Sequence, residues 1–181
     1  MVLVLLCDGF EESEVTVPVD LLRRGGVDVG LCGVNGSMVK SSHGITYGTD
    51  LTLDQADLAQ VEMVFVPGGL GGTDGLLASA PVAALLRQAK EQGCYLAAIC
   101  AGPTVLSRLG LIDGKKAVCY PGMEDLLVPA IPQKGSSVVR DGKLITAEAA
   151  GASFELGFTM LDLLRGEEVS QQVRQSVYYR G

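Results

Sequence analysis

Tryptophan is absent from this chain and histidine occurs only once. A single imidazole argues against a self-contained Cys–His–acid hydrolase, which needs an imidazole beside the sulfur. The one histidine, His43, lies in a glycine-punctuated stretch and is expected to be a surface or interface residue, far from any sheet carboxyl end. Charged residues make up only 19% of the chain, and no basic cluster offsets the net charge of −7. That balance excludes nonspecific binding to nucleic acid or to an anionic membrane. No apolar run is long enough to span a bilayer. The start has no basic segment ahead of its apolar run, so a signal peptide is not expected. Five cysteines are scattered without a Cys-x-x-Cys pair. This pattern fits a reducing, cytoplasmic setting better than a disulfide framework or a zinc site.

What is present is apolar and glycine-rich. Apolar residues reach 48%, and the 24 glycines fall mostly where turns are needed. A length of 181 residues suits a single domain over residues 1–181. Residues 2–7, 27–34 and 61–67 read as buried strands. Residues 15–24 read as a helix, with Pro18 tolerable only near its first turn. The clearest helix follows Pro81, with Val82, Leu85, Leu86 and Ala89 on one face. Residues 38–52 read as a hairpin excursion, and 116–120 and 143–146 as further strands. Residues 136–140 are expected to pair with the latter through Asp141-Gly142. An apolar helix is expected over 152–164, followed by a short polar one. Repeated β–α alternation predicts a mostly parallel sheet with helices on both faces.

The segment Tyr95-Leu-Ala-Ala-Ile-Cys-Ala-Gly-Pro103 stands apart. It reads as a buried strand that breaks sharply into a helix, with Cys100 at the break between small residues. Nucleophiles sit on such elbows, and the amides that open a helix favour a thiolate. The other four cysteines, Cys7, Cys32, Cys94 and Cys119, read as core. Function in open α/β sheets gathers at strand carboxyl ends. If the strands leading to Asp8, Pro67 and Cys100 are neighbours, a carboxylate, a glycine turn and a thiol meet in one crevice. Glu11 and Glu12 read as helix-start acids. Gly68-Gly-Leu-Gly-Gly72 lacks dinucleotide spacing, and neither cofactor nor metal is expected.

Several of these strings together resemble one family. Gly9-Phe-Glu-Glu-Ser-Glu14, Pro18-Val-Asp-Leu-Leu-Arg-Arg-Gly25, Val66-Pro-Gly-Gly69, Ala97-Ala-Ile-Cys-Ala-Gly-Pro103 and Gly151-Ala-Ser-Phe-Glu155 are similar, in order, to the ThiJ/PfpI superfamily. Its closest branch is that of the parkinsonism-associated protein deglycase. The resemblance implies a flavodoxin-like, glutamine-amidotransferase-like three-layer α/β sandwich and a homodimer. It makes Cys100 the nucleophile and Glu14 its protonated partner. Backbone N–H groups of Gly69 and Ala101 would form the oxyanion pocket, with Gly68, Tyr120 and His43 as auxiliary candidates. It implies cofactor-free conversion of 2-oxoaldehydes such as methylglyoxal to 2-hydroxy acids, or repair of glycated substrates. The alternative is a cysteine-based redox sensor or stress chaperone. The chain departs from the branch at three places. Tyr120 stands where many members carry a histidine. Glu148-Ala-Ala150 replaces an Arg-Gly-Pro segment. His43 stands where some members place an arginine at the site mouth.

Overall fold

The computed structural model describes residues 1–180. In chain order the elements are β1 (Val2–Leu6), α1 (Glu12–Arg24), β2 (Val29–Gly33), β3 (Met38–Lys40), β4 (Thr46–Gly48) and β5 (Leu51–Thr52). Then come β6 (Met63–Val66), α2 (Leu70–Ala78), α3 (Ala80–Glu91), β7 (Tyr95–Ile99), α4 (Gly102–Arg108), β8 (Lys116–Ala117) and β9 (Ile131–Pro132). Last are β10 (Val138–Asp141), β11 (Leu144–Ala147), α5 (Ser153–Arg165) and α6 (Glu167–Ser176).

The main sheet has the order β10-β11-β7-β6-β1-β2-β5. Every pairing is parallel except β10 with β11, which turns through Asp141-Gly142 as an antiparallel hairpin. β1 is buried throughout, as expected of a central parallel strand covered on both faces. Its side chains alternate between two cores. Leu3 and Leu5 pack with Leu76 of α2, Val82 and Leu86 of α3 and Val105 of α4. Val2, Val4 and Leu6 pack with Val15 and Leu22 of α1, Leu156 and Phe158 of α5 and Val173 of α6. The result is the expected three-layer flavodoxin-like α/β sandwich.

The elements differ from the sequence expectation in four places. α1 starts at Glu12, so Pro18 lies mid-helix rather than in the first turn. Its missing N–H leaves the Glu14 carbonyl without the usual helical donor. The proline lies against Gly157 of α5, where an added Cβ would come 3.0 Å from the Pro18 Cα and 2.8 Å from the Leu21 Cδ1. The tight approach of two helices thus accommodates what propensity disfavours. Second, residues 70–78 form a helix although their glycines read as a turn. Third, the excursion is only partly a separate hairpin. β3 and β4 pair with each other, while β5 joins the main sheet beside β2. Residues 116–120 supply only the two-residue β8, which pairs with β9 outside the main sheet.

β5 covers only Cys32 and Gly33 of β2. The rest of that strand's outer edge is closed by side chains. Asp50 accepts from the Leu31 N–H at 2.8 Å, and Arg23 donates to the Val29 carbonyl at 2.9 Å and to Asp50 at 2.8 Å.

Candidate active site

β1, β6 and β7 are adjacent in the sheet, so their carboxyl ends share one crevice. β7 delivers Cys100. Its φ is 61°, the left-handed region that non-glycine residues rarely enter. Two hydrogen bonds hold the backbone there: the Cys100 N–H donates to the Ala147 carbonyl at 3.0 Å, and the Tyr120 N–H donates to the Cys100 carbonyl at 2.8 Å. The small flanking residues are required by space. A Cβ on Gly102 would strike the Val66 carbonyl at the end of β6.

β1 delivers Glu14 through α1. Glu11 caps that helix, accepting from the Glu14 N–H at 2.8 Å and from the Ser13 hydroxyl at 2.6 Å. Glu14 falls on the same helical stripe as Pro18 and Leu21, four and seven residues on, and that stripe faces the core. The carboxyl is therefore carried inward and is 1% exposed. One oxygen accepts from the Gly68 N–H at 2.8 Å, and the carboxyl is hydrogen-bonded to Cys100. β6 supplies the remaining wall. The Gly69 and Ala101 N–H groups act on the Cys100 sulfur and pull its pKa down. Gly69 has φ 87° and sits so close to the Gly9 carbonyl that no Cβ fits.

The electrostatics correct one sequence expectation. Helix amides alone suggested a stabilised thiolate. Instead burial, then the charge and hydrogen bond of Glu14, push the Cys100 thiol up to about 12, against the opposing pull of the Ala101 and Gly69 amides. Burial likewise pushes the Glu14 carboxyl up to about 7, although its bonds to Cys100 and Gly68 pull the other way. The two groups titrate as a pair. Above about pH 7 the pair holds one proton, with sulfur and carboxylate as its two seats. Moving that proton from sulfur to Glu14 creates a thiolate that then accepts from the carboxyl and from two backbone amides.

A cavity of about 480 Å³ opens on the sulfur, lined by Glu11, Gly69, Leu70, Ala101 and the 120–123 turn. Tyr120 lines it and is half exposed. Leu70 and Met123 were not singled out from sequence. Leu70 stands as one large apolar side chain between glycines, a pattern that could have marked a wall. His43 also needs correction. It lies beside the carboxyl end of β1, since the Ser42 N–H donates to the Phe10 carbonyl at 2.8 Å. It is nonetheless outside the cavity, with its Nδ1 3.0 Å from the Glu12 carboxylate. Glu11, Glu12 and His43 bring their donor atoms within 4.8 Å of one another, but these atoms already serve the His43 pair and the α1 cap. Glu148 is held in the β10–β11 hairpin region, where its N–H donates to the Ser137 carbonyl at 2.9 Å, and it does not line the cavity. Among the described residues, no helix is long and apolar enough to cross a membrane.

Residues 1–163 match the model of the DJ-1/PfpI family. Protein dj-1beta of Drosophila melanogaster is 37% identical over 177 residues, which cover 97% of this chain and 95% of that protein. The crystal structure of Drosophila melanogaster DJ-1beta superposes with a TM-score of 0.95 at 36% identity, covering 99% of this chain and 98% of the other. Glutathione-independent glyoxalase DJR-1.2 of Caenorhabditis elegans is 31% identical over 159 residues, 87% of this chain and 84% of that protein.

Proposed function

Because the chain belongs to the DJ-1/PfpI family, we propose that it is a cofactor-free, glutathione-independent glyoxalase acting on 2-oxoaldehydes through Cys100. The observation that carries this reading is the buried Glu14 carboxyl, held by the Gly68 N–H and set against a Cys100 sulfur on which the Gly69 and Ala101 amides also act. The pair holds a nucleophile and a movable proton without any imidazole.

The chemistry runs in four steps. Glu14 takes the thiol proton, and the Cys100 sulfur bonds to the aldehyde carbon. The resulting oxyanion is steadied by backbone amides and protonated, giving a hemithioacetal. Glu14, having passed its proton on, removes the C–H proton from that carbon and returns it to the neighbouring ketone carbon, while the hemithioacetal hydroxyl proton passes to the ketone oxygen. The first carbon is thereby oxidised to a thioester and the second reduced to an alcohol, so no outside oxidant is needed. Water then cleaves the thioester, freeing the thiol and the 2-hydroxy acid. Deglycation uses the same addition, once a glycated amine or thiol releases its aldehyde.

Lactate formation from methylglyoxal tests the reading. Cys100→Ala should abolish it, and Glu14→Gln should reduce it by about 10² or more. Unchanged turnover in either variant overturns the mechanism.

A redox-sensor reading is favoured by one observation. Among the described residues, Cys100 alone of the five cysteines is not buried. Graded peroxide followed by intact mass should then add oxygen at Cys100 first, ahead of the other four.

A further inference from the structure

The cavity over Cys100 is large for the aldehyde named above. About 480 Å³ falls in the range of sites that enclose ring-bearing ligands, and methylglyoxal would leave most of it as water. The walls are apolar: Leu70, Ala101, Pro121, Met123 and the Tyr120 ring. Leu70 is 69% exposed and Tyr120 49% exposed, so apolar surface lies open to solvent beside the reactive sulfur. Among the described residues, no lysine, arginine or histidine lines the cavity, and Glu11 is the one acid in its lining. The nearby imidazole of His43 is turned to Glu12. The Tyr120 N–H bond to the Cys100 carbonyl fixes this wall at the elbow itself.

We propose that this cavity selects neutral 2-oxoaldehydes with an aryl or branched-alkyl body, over methylglyoxal and over anionic aldehydes, with Leu70, Tyr120 and Met123 as the selecting walls. The inference rests on the glyoxalase reading for its chemistry and on the cavity alone for its selectivity. An apolar body displaces water from Leu70 and Met123, and an aryl ring also meets the Tyr120 ring. A carboxylate or phosphate finds no cation and faces Glu11.

Two measurements separate the inference from the reading beneath it. In the first, kcat/KM for phenylglyoxal should exceed that for methylglyoxal by about tenfold or more. Leu70→Ser and Met123→Ser should each shrink that ratio, mainly through KM. In the second, Cys100 is alkylated by iodoacetamide and by its N-phenyl analogue, and the rate ratio is compared with that of a small free thiol. The aryl reagent should be favoured by about tenfold over the reference, and Leu70→Ser should lower the preference. Equal kcat/KM for the two uncharged aldehydes, or a labelling ratio equal to that of the free thiol, overturns the selectivity. Aryl-selective labelling with no turnover of either aldehyde upholds the selectivity and overturns the glyoxalase reading.

Discussion

Replacing Glu14 by glutamine should make the protein more stable and its thiol easier to ionise, yet slow its catalysis. The stability effect follows from linkage. The unfolded carboxyl titrates near 4.5, whereas the folded one is pushed up to about 7 by burial. Between those values the folded state keeps a proton that the unfolded state has released. Stability therefore falls as pH rises through this window, by about 1.4 kcal/mol per pH unit. The accumulated cost is about 3 kcal/mol above pH 7. Glutamine matches the shape, its oxygen can still accept from Gly68, and it never ionises. The two proteins should unfold alike near pH 4, and the variant should gain up to about 3 kcal/mol at pH 8, roughly 6–12 °C in Tm. Removing the negative charge also removes the second and third causes of the raised Cys100 pKa, leaving burial, so the pH profile of thiol alkylation should move downward. Catalysis should still fall, because glutamine cannot carry the proton between carbons. Urea unfolding and alkylation of both proteins across pH 4 to 8 check the argument. Parallel stability curves with an unmoved alkylation profile would refute it.

Gly68→Ala puts a Cβ 2.5 Å from the Glu14 Oε2 and 2.7 Å from the Cys100 Cβ. Glyoxalase turnover should drop by about 10² through misplacement of the pair, with far-ultraviolet circular dichroism unchanged. Gly157→Ala drives a Cβ between Pro18 and Leu21 and should cost about 1–3 kcal/mol in denaturant unfolding. Desolvation opposes ionisation of Glu12, yet bonds from its own N–H, the His43 ring and Ser41 hold its carboxyl down to about 2. The stability it supplies is full above pH 4.5 and is lost as pH falls toward 2. Glu12→Gln should therefore lose that stability at pH 5 and above and flatten acid unfolding below pH 4.5.

Local signals carried far in this chain. The elbow at Cys100 was legible because a strand, a thiol and small residues adjoin in sequence, and sterics allow few other reasons for that order. The β1, β6 and β7 runs were legible because strands covered on both faces are apolar without alternation. Glu14 could be named only through resemblance, since its oxygen meets a backbone N–H 54 residues away. The state of the thiol was not legible for the same reason. The amides that favour its charge are local, but the burial and the carboxylate that oppose it arrive with the fold. α2 was missed because its glycines predict a turn, whereas Gly72 lies against Phe10 with no room for a Cβ. Packing chose those glycines. His43 was placed too far from the sheet because the excursion folds back onto the start of α1, held by Phe10 edge-on to Tyr47 and by the Glu12 pair.

The Arg23–Asp50 pair along β2 bears on how this chain behaves in a crowd. A parallel sheet that ends on a bare strand offers its free amides and carbonyls to any passing extended chain, and aggregation begins at such edges. Here the Leu31 amide is taken by a carboxylate and the Val29 carbonyl by a guanidinium, while β5 covers the two residues beyond. An incoming strand would have to displace an ion pair to gain ordinary backbone bonds. The fold thus protects this border of the sheet with charge while keeping a strongly apolar interior.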